Sequence, residues 1–258
     1  MIRRVVVFGA AFVGVAFLVL PVVAIFARVP PGRLVSQLGN GAVVDALRVS
    51  AETSAAAQAL VLLFGTPTAV VLARRFPLRD LLVSLVELPL VLPPAVAGIG
   101  LFAAFGRFGL LHTSIPFTKL AVVFAVALVS GPLYVRAAIA AFENVDENIV
   151  AASRTLGAGP TRTFFRVVLP LARAGLAAGA ALALARGLGE FGATIMFAGS
   201  LRGVTETLPL AVYSEFNVSF DTALAISALL VALSAALLVV LKWRPSRSTF
   251  GFRFAASS

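Results

Sequence analysis

Apolar residues in this chain come in long unbroken blocks, unlike the stripes of a soluble helix or the alternation of a half-buried strand. Residues 5–26, 53–73 and 222–241 hold no charge over 22, 21 and 20 positions, each enough to carry a helix through about 30 Å of hydrocarbon. Residues 81–106 add one acid, Glu87, and residues 120–142 one base, Arg136, near the end of its block where a long side chain can snorkel. A fifth block, residues 174–201, reaches Arg186 and Glu190 and resumes as a glycine-punctuated stretch, which reads as a spanning helix with an irregular extension. The pattern predicts an all-α polytopic membrane protein with six transmembrane helices in a single transmembrane domain, residues 1–258.

Composition agrees: of 258 residues, 60% are hydrophobic and 12% charged, whereas a soluble domain is about half apolar and a quarter charged. The formal charge of +10 would suggest nucleic acid for a soluble protein, but the bases fall between apolar blocks, where topology accounts for them and no nucleic-acid partner is needed. Met1-Ile2-Arg3-Arg4 before an apolar run imitates a signal peptide. That run is longer than the roughly 7–15 residues of a signal core and no small-x-small site follows, so a retained helix is expected. With the amino terminus inside, the inner segments hold Arg3, Arg4, Arg74, Arg75, Arg79, Arg154, Arg162, Arg166, Arg173, Lys242, Arg244, Arg247 and Arg253. The outer ones hold only Arg28, Arg33, Arg48, Arg107, Lys119 and Arg202. The positive-inside bias therefore places both termini in the cytoplasm. There is no cysteine and one histidine, His112, so thiolate chemistry is excluded and no metal site is expected.

The loop at residues 143–170 has the grammar of helix, turn, helix. Asn144 with Glu147 three residues on suggests a capping box. Ile149, Ala152 and Leu156 share one face of the first helix. Gly157 can end it, and Gly159-Pro160 can open a second, bearing Phe164, Phe165 and Val168 with Arg162 and Arg166 beside them. Pro170 is expected to end or kink that helix. On periodicity alone, a groove on a partner protein and the lipid headgroups are equally fitting surfaces for it.

The residue order favours the partner. Ala152, Gly157, Val167 in place of isoleucine, and Leu169-Pro170 fall at the spacing of the EAA loop, which this stretch resembles, of ABC importer permeases. Ala151 stands at that family's glutamate position and Ser153 at its second alanine, while Glu147 lies one turn earlier. The resemblance implies a coupling helix, Glu147 to Leu169, that docks on an ATPase subunit. The chain has no Walker A motif: Lys119 and Lys242, its only lysines, follow Thr118 and Leu241. ATP and Mg would bind the partner ATPase, this chain binding no cofactor. No acid, base and nucleophile cluster appears either, so no catalytic residues are expected.

A second stretch, residues 185–213, closely resembles the molybdate/tungstate importer permeases through Gly189-Glu190-Phe191-Gly192-Ala193, Phe197-Ala198-Gly199, Thr207-Leu208-Pro209-Leu210 and Tyr213. The first of these elements is shared with sulfate and thiosulfate permeases, while the Thr194-to-Gly199 continuation and the Thr-Leu-Pro-Leu element lean to molybdate. Resemblance extends, less specifically, to residues 88–94. Arg186 and Glu190 would meet on one helix face, either as a neutralised strut or with Arg186 lending positive potential to a dianion's path. Gly175, Gly179, Ala183 and Gly187 recur every four residues and suit close packing, within the subunit or at a homodimer seam. Pro93 and Pro94, with Pro89, interrupt the third crossing, as a gate or a plain kink. Path or gate candidates are thus Arg186, Glu190, Phe191, Gly192, Ala193, Thr194, Pro93 and Pro94.

The resemblance implies a type I ABC importer permease fold (MetI-like) in the plasma membrane of a prokaryote. It also implies a homodimer, two ABC ATPase subunits and an extracytoplasmic oxyanion-binding protein as partners. The expected function is molybdate import. A sulfate or thiosulfate permease is the nearest alternative, an ion-coupled secondary transporter the alternative of another class, and an assembly or sensor subunit a remote one.

Overall fold

A computed structural model describes residues 2–29, 32, 36–37 and 39–243; Arg33, Arg244, Arg247 and Arg253 of the charge count lie outside them. All regular elements among these residues are helical: α1 (Ile2–Arg28), α2 (Gly41–Leu72), α3 (Arg79–Val91), α4 (Pro94–Phe105), α5 (Lys119–Glu143) and α6 (Glu147–Thr155). Then α7 (Pro160–Thr163) runs through a π turn, Phe164–Val168, into α8 (Leu169–Leu188), followed by α9 (Gly192–Ala198), α10 (Leu208–Phe216) and α11 (Phe220–Trp243). Val6–Arg28, Gly41–Leu72, Lys119–Glu143, Pro160–Leu188 and Phe220–Leu237 are each long and apolar enough to cross a bilayer. The pair α3 and α4 makes a sixth crossing if counted as one broken span.

Two expectations need correction, and one helix is additional to them. The third block is two helices with a bend of 112° between them, not one helix over 81–106. Leu92 and Pro93 are extended, with ψ of 137° and 130°, as residues before a proline prefer, and Pro94 then opens α4 at the first helical position, where its missing N–H costs nothing. The fifth helix begins at Pro160, well before residue 174, and stops at Leu188; the irregular extension is a break followed by α9. The nine-residue α10 was not anticipated, being too short to show a period. It buries Leu208, Leu210 and Ala211 beside α2 and α11.

Helix α2 also starts earlier than the charge-free block, because Asn40 caps it by accepting the Ala42 N–H at 3.0 Å. At 32 residues it is roughly 48 Å long, so its first turns extend past the hydrocarbon. Three hydroxyls inside the spans are satisfied within their own helix: those of Thr53, Thr68 and Ser130 donate to the carbonyls of Val49, Phe64 and Val126, each at 2.7 Å.

Helix α5 is the centre, packed by α2 and α8. In lipid there is no hydrophobic pull between helices, and backbones must approach closely to gain dispersion energy. The glycines provide that approach. A Cβ on Gly175 or Gly179 would lie 2.6 Å from the Cβ of Ala141 or Ala137, and one on Gly187 would lie 2.8 Å from Val126 Cγ1. The stripe Gly175, Gly179, Ala183, Gly187 therefore faces α5 of the same chain. Tyr134 of α5 is buried between Gly65 of α2 and Gly179 of α8, and its hydroxyl lies 2.6 Å from that of Thr66. Helix α1 is exposed along its length among the described side chains and touches α11.

Gly179→Val is expected to lower the melting temperature of the purified protein in detergent, since overpacking costs about 1–3 kcal/mol. Gly100→Ala, where an added Cβ meets nothing within 4 Å, should leave it unchanged or raised in the same thermal-shift measurement.

Candidate functional site

The loop after α5 folds into an elbow. Its capping differs from the sequence expectation: Asp146, not Asn144, caps α6 by accepting the Asn148 N–H at 2.8 Å, and Glu147 is its first residue. The Asn144 amide instead donates to Ala140 O at 2.8 Å, closing the end of α5. Helix α6 ends in a Schellman motif, with Ala158 N–H on Ser153 O and Gly157 N–H on Arg154 O. Gly157 takes φ of +83°, a conformation that disfavours any side chain. Gly159 and Pro160 start α7.

The face bearing Ile149, Ala152 and Leu156 points away from the bundle, with Ile149 46% and Leu156 88% exposed; Glu147 and Ala151 are exposed as well. Ser153 turns the other way. Its hydroxyl donates to Val150 O and lies 3.0 Å from the hydroxyl of buried Thr163, so a residue that departs from the EAA pattern joins the two arms of the elbow. Of the two outcomes expected at Pro170, an end or a kink, the helix does not end there: it continues to Leu188 after a π turn. That turn, in which Leu169 N–H reaches back to Phe164 O, supplies the wider turn that a proline with no N–H can follow. Phe164 packs its ring 6.2 Å from Phe142, Val167 and Leu169 are half-buried, and Phe165, Arg162 and Arg166 face out. At the root of the elbow Arg79 pairs with Glu143 and donates to Leu72 O, tying α2, α3 and α5.

The second constellation is the broken core. Glu190 follows the end of α8 and is only 2% exposed. One carboxylate oxygen accepts the Ala193 N–H at 2.8 Å, capping α9, and the other lies 2.9 Å from Arg186 Nη1. The carboxylate is thus fully employed, whereas the Arg186 side chain remains 36% exposed. Helix α9 packs on α4: a Cβ on Gly192 would stand 2.8 Å from Pro94 Cβ, and one on Gly98 2.6 Å from Ala193 O. The fold therefore brings Pro94 together with Gly192 and Ala193, although the sequence separates them by about a hundred residues. Thr194 is buried with its hydroxyl unpartnered. Gly199 ends α9 at φ of +67° and ψ of −163°, a region essentially restricted to glycine. Phe191 packs its ring 5.4 Å from that of Tyr213, tilted by 55°. Beyond, Ser50 of α2 accepts the Leu208 N–H at 2.7 Å, capping α10 from a distant segment in a way no local pattern could signal. Among the described residues no group of three or more His, Cys, Asp or Glu side chains could hold a metal ion.

Residues 61–243 match the family model described as "Binding-protein-dependent transport system inner membrane component". The chain belongs to that family. Among its relatives is the molybdenum transport system permease protein ModB of Mycobacterium tuberculosis, 44% identical over 243 residues and covering 91% of each chain. The ModB of Escherichia coli is 42% identical over 179 residues, 66% of this chain and 78% of that one. The molybdate/tungstate transport system permease protein WtpB of Pyrococcus abyssi is 33% identical over 233 residues, 89% and 90% of the two. In fold the chain is similar to a structure of the inward-facing MetNI methionine ABC transporter, with a TM-score of 0.63 and 20% identity, over 78% of this chain and 93% of that one. The expected MetI-like permease fold is therefore correct, and the family match covers both the elbow and the broken core.

Glu190→Ala would leave the Ala193 N–H and the Arg186 guanidinium without their buried acceptor, while Glu190→Gln keeps one for the N–H. The expected order of melting temperature and folded yield is wild type, then Glu190→Gln, then Glu190→Ala, read by size-exclusion chromatography after heating.

Proposed function

We propose that this permease is the membrane-spanning subunit of an ATP-driven molybdate importer, working as a homodimer with two ABC ATPase subunits and an extracytoplasmic oxyanion-binding protein in a prokaryotic plasma membrane. The observation that carries the reading is the elbow: an exposed apolar face on a helix fastened to the arm that leads into α8 through Ser153 and Thr163, in a chain that lacks a nucleotide-binding motif of its own. Molybdate as cargo is supported by the names of the relatives and by the Thr194-to-Gly199 and Thr207-to-Leu210 elements.

In this reading both termini and the elbow are cytoplasmic, and ATP with Mg binds the partner ATPases. ATP binding draws those subunits together and carries Glu147 to Leu169 with them. The motion passes through the π turn into α8, and so to the break at Gly189–Phe191 and the bend at Leu92–Pro93, which meet where Gly192 touches Pro94. These two interruptions are the gate. Glu190 acts there as a strut, since both of its oxygens are engaged, while the exposed part of Arg186 offers the anion a weak positive field. Hydrolysis resets the inward-facing state.

Leu156→Asp alters an exposed side chain and should leave folding intact. It is expected to reduce the ATPase recovered on co-purification and to lower ATP-dependent molybdate uptake into vesicles by roughly tenfold or more, the scale for a well-buried apolar anchor. Normal ATPase recovery with normal uptake would overturn the coupling role. Preference for labelled sulfate over molybdate by the wild-type complex would overturn the choice of cargo.

A further inference from the structure

One ionic pair at membrane depth belongs to neither the elbow nor the gate. Arg136 of α5 approaches Glu87 of α3, Nε to Oε1, at 3.6 Å. Arg79 and Glu143 join the same two helices at the elbow end. Counting along α5 from Glu143 back to Arg136, at about 1.5 Å per residue, places the deeper pair about 10 Å further in.

Helix α5 is otherwise the most enclosed span of the bundle, yet the Arg136 side chain is 70% exposed and that of Glu87 35%. Ionisable side chains inside a span face a bundle interior or a water-filled cavity, because lipid solvates them poorly. A snorkelling arginine would swing along its helix to the headgroups; Glu87, on the neighbouring helix, holds this one at depth. That contact engages one edge of the planar guanidinium, and Glu87 is the one polar partner of Arg136 among the described residues.

We infer that Arg136 is a waypoint for the transported oxyanion on the elbow side of the gate, with Glu87 reclaiming the guanidinium after each passage. The inference rests on the import reading above. A tetrahedral dianion offers paired oxygens that fit the planar fork of an arginine. The competing carboxylate keeps the attraction weak enough for the anion to leave. A lipid phosphate has the same chemistry, so the test must separate the two sources.

The absence of cysteine makes Arg136→Cys the single thiol of this subunit. In the complete complex with its ATPase, reconstituted in vesicles, a water-soluble cationic methanethiosulfonate should label it in the nucleotide-free state, and molybdate should slow the labelling. Uptake should fall roughly tenfold or more, the scale of a lost charged hydrogen bond. The cationic adduct should restore it, whereas a neutral adduct of equal size should not. Absence of labelling, or labelling that responds to anionic lipid content and not to molybdate, would overturn the waypoint. A double variant, Glu87→Gln with Arg136→Gln, leaves no unpaired charge. It should assemble and remain defective in uptake, and full uptake would show the pair to be a strut. Wild-type vesicles that accumulate no molybdate would overturn the import reading instead, whereas the labelling is scored without transport.

Discussion

Close backbone approach around α5 is the constraint on which the rest of the structure depends. Lipid gives two apolar helices no reason to prefer each other, so their association rests on dispersion contacts that only small residues allow. Gly175, Gly179 and Gly187 press α8 onto Ala141, Ala137 and Val126, while Gly65 lets α2 reach the same helix across the ring of Tyr134. Because α5 runs directly to the elbow and α8 rises from it, the two helices that frame the loop are also the two most firmly joined. A push on the elbow is therefore delivered to a rigid pair.

The interruptions sit beside that pair and complement it. Unpaired backbone groups are tolerated at membrane depth only where protein encloses them, and here each broken helix covers the other. Helix α4 starts against Gly192, α9 starts against the Glu190 carboxylate, and Phe197 fills the space beneath, its ring 6.3 Å from Phe105. The charges of this region are arranged on the same principle. Glu190 is hidden and fully bonded, and its partner Arg186 extends towards the surface.

Much of this was legible from one-dimensional pattern. The charge-free blocks gave the spanning helices, because crossing a bilayer demands an uninterrupted apolar run. Gly157 and Gly159-Pro160 gave the stop and start within the elbow, because the φ they permit is local chemistry. What stayed hidden was set by partners distant in sequence or by competition between near-equal local choices. Asp146 displaced Asn144 as cap although both are good acceptors, and Pro89 lies inside α3 while Pro93 breaks the chain about one turn later. The inner face of the glycine stripe, the Ser50 cap on α10 and the Ser153–Thr163 link each needed a second helix to give them meaning. Arg136 reads in sequence as a lone base near a helix end because nothing in its own block points to Glu87.

The π turn at Phe164–Val168 amounts to one surplus residue in an otherwise continuous rod. A rod with 3.6 residues per turn changes its heading by about 100° for every residue added or removed, so this surplus fixes the compass bearing of the whole forearm relative to the shaft of α8. Excising a single position there would mend the rod and aim Leu156 at a different quarter of the horizon.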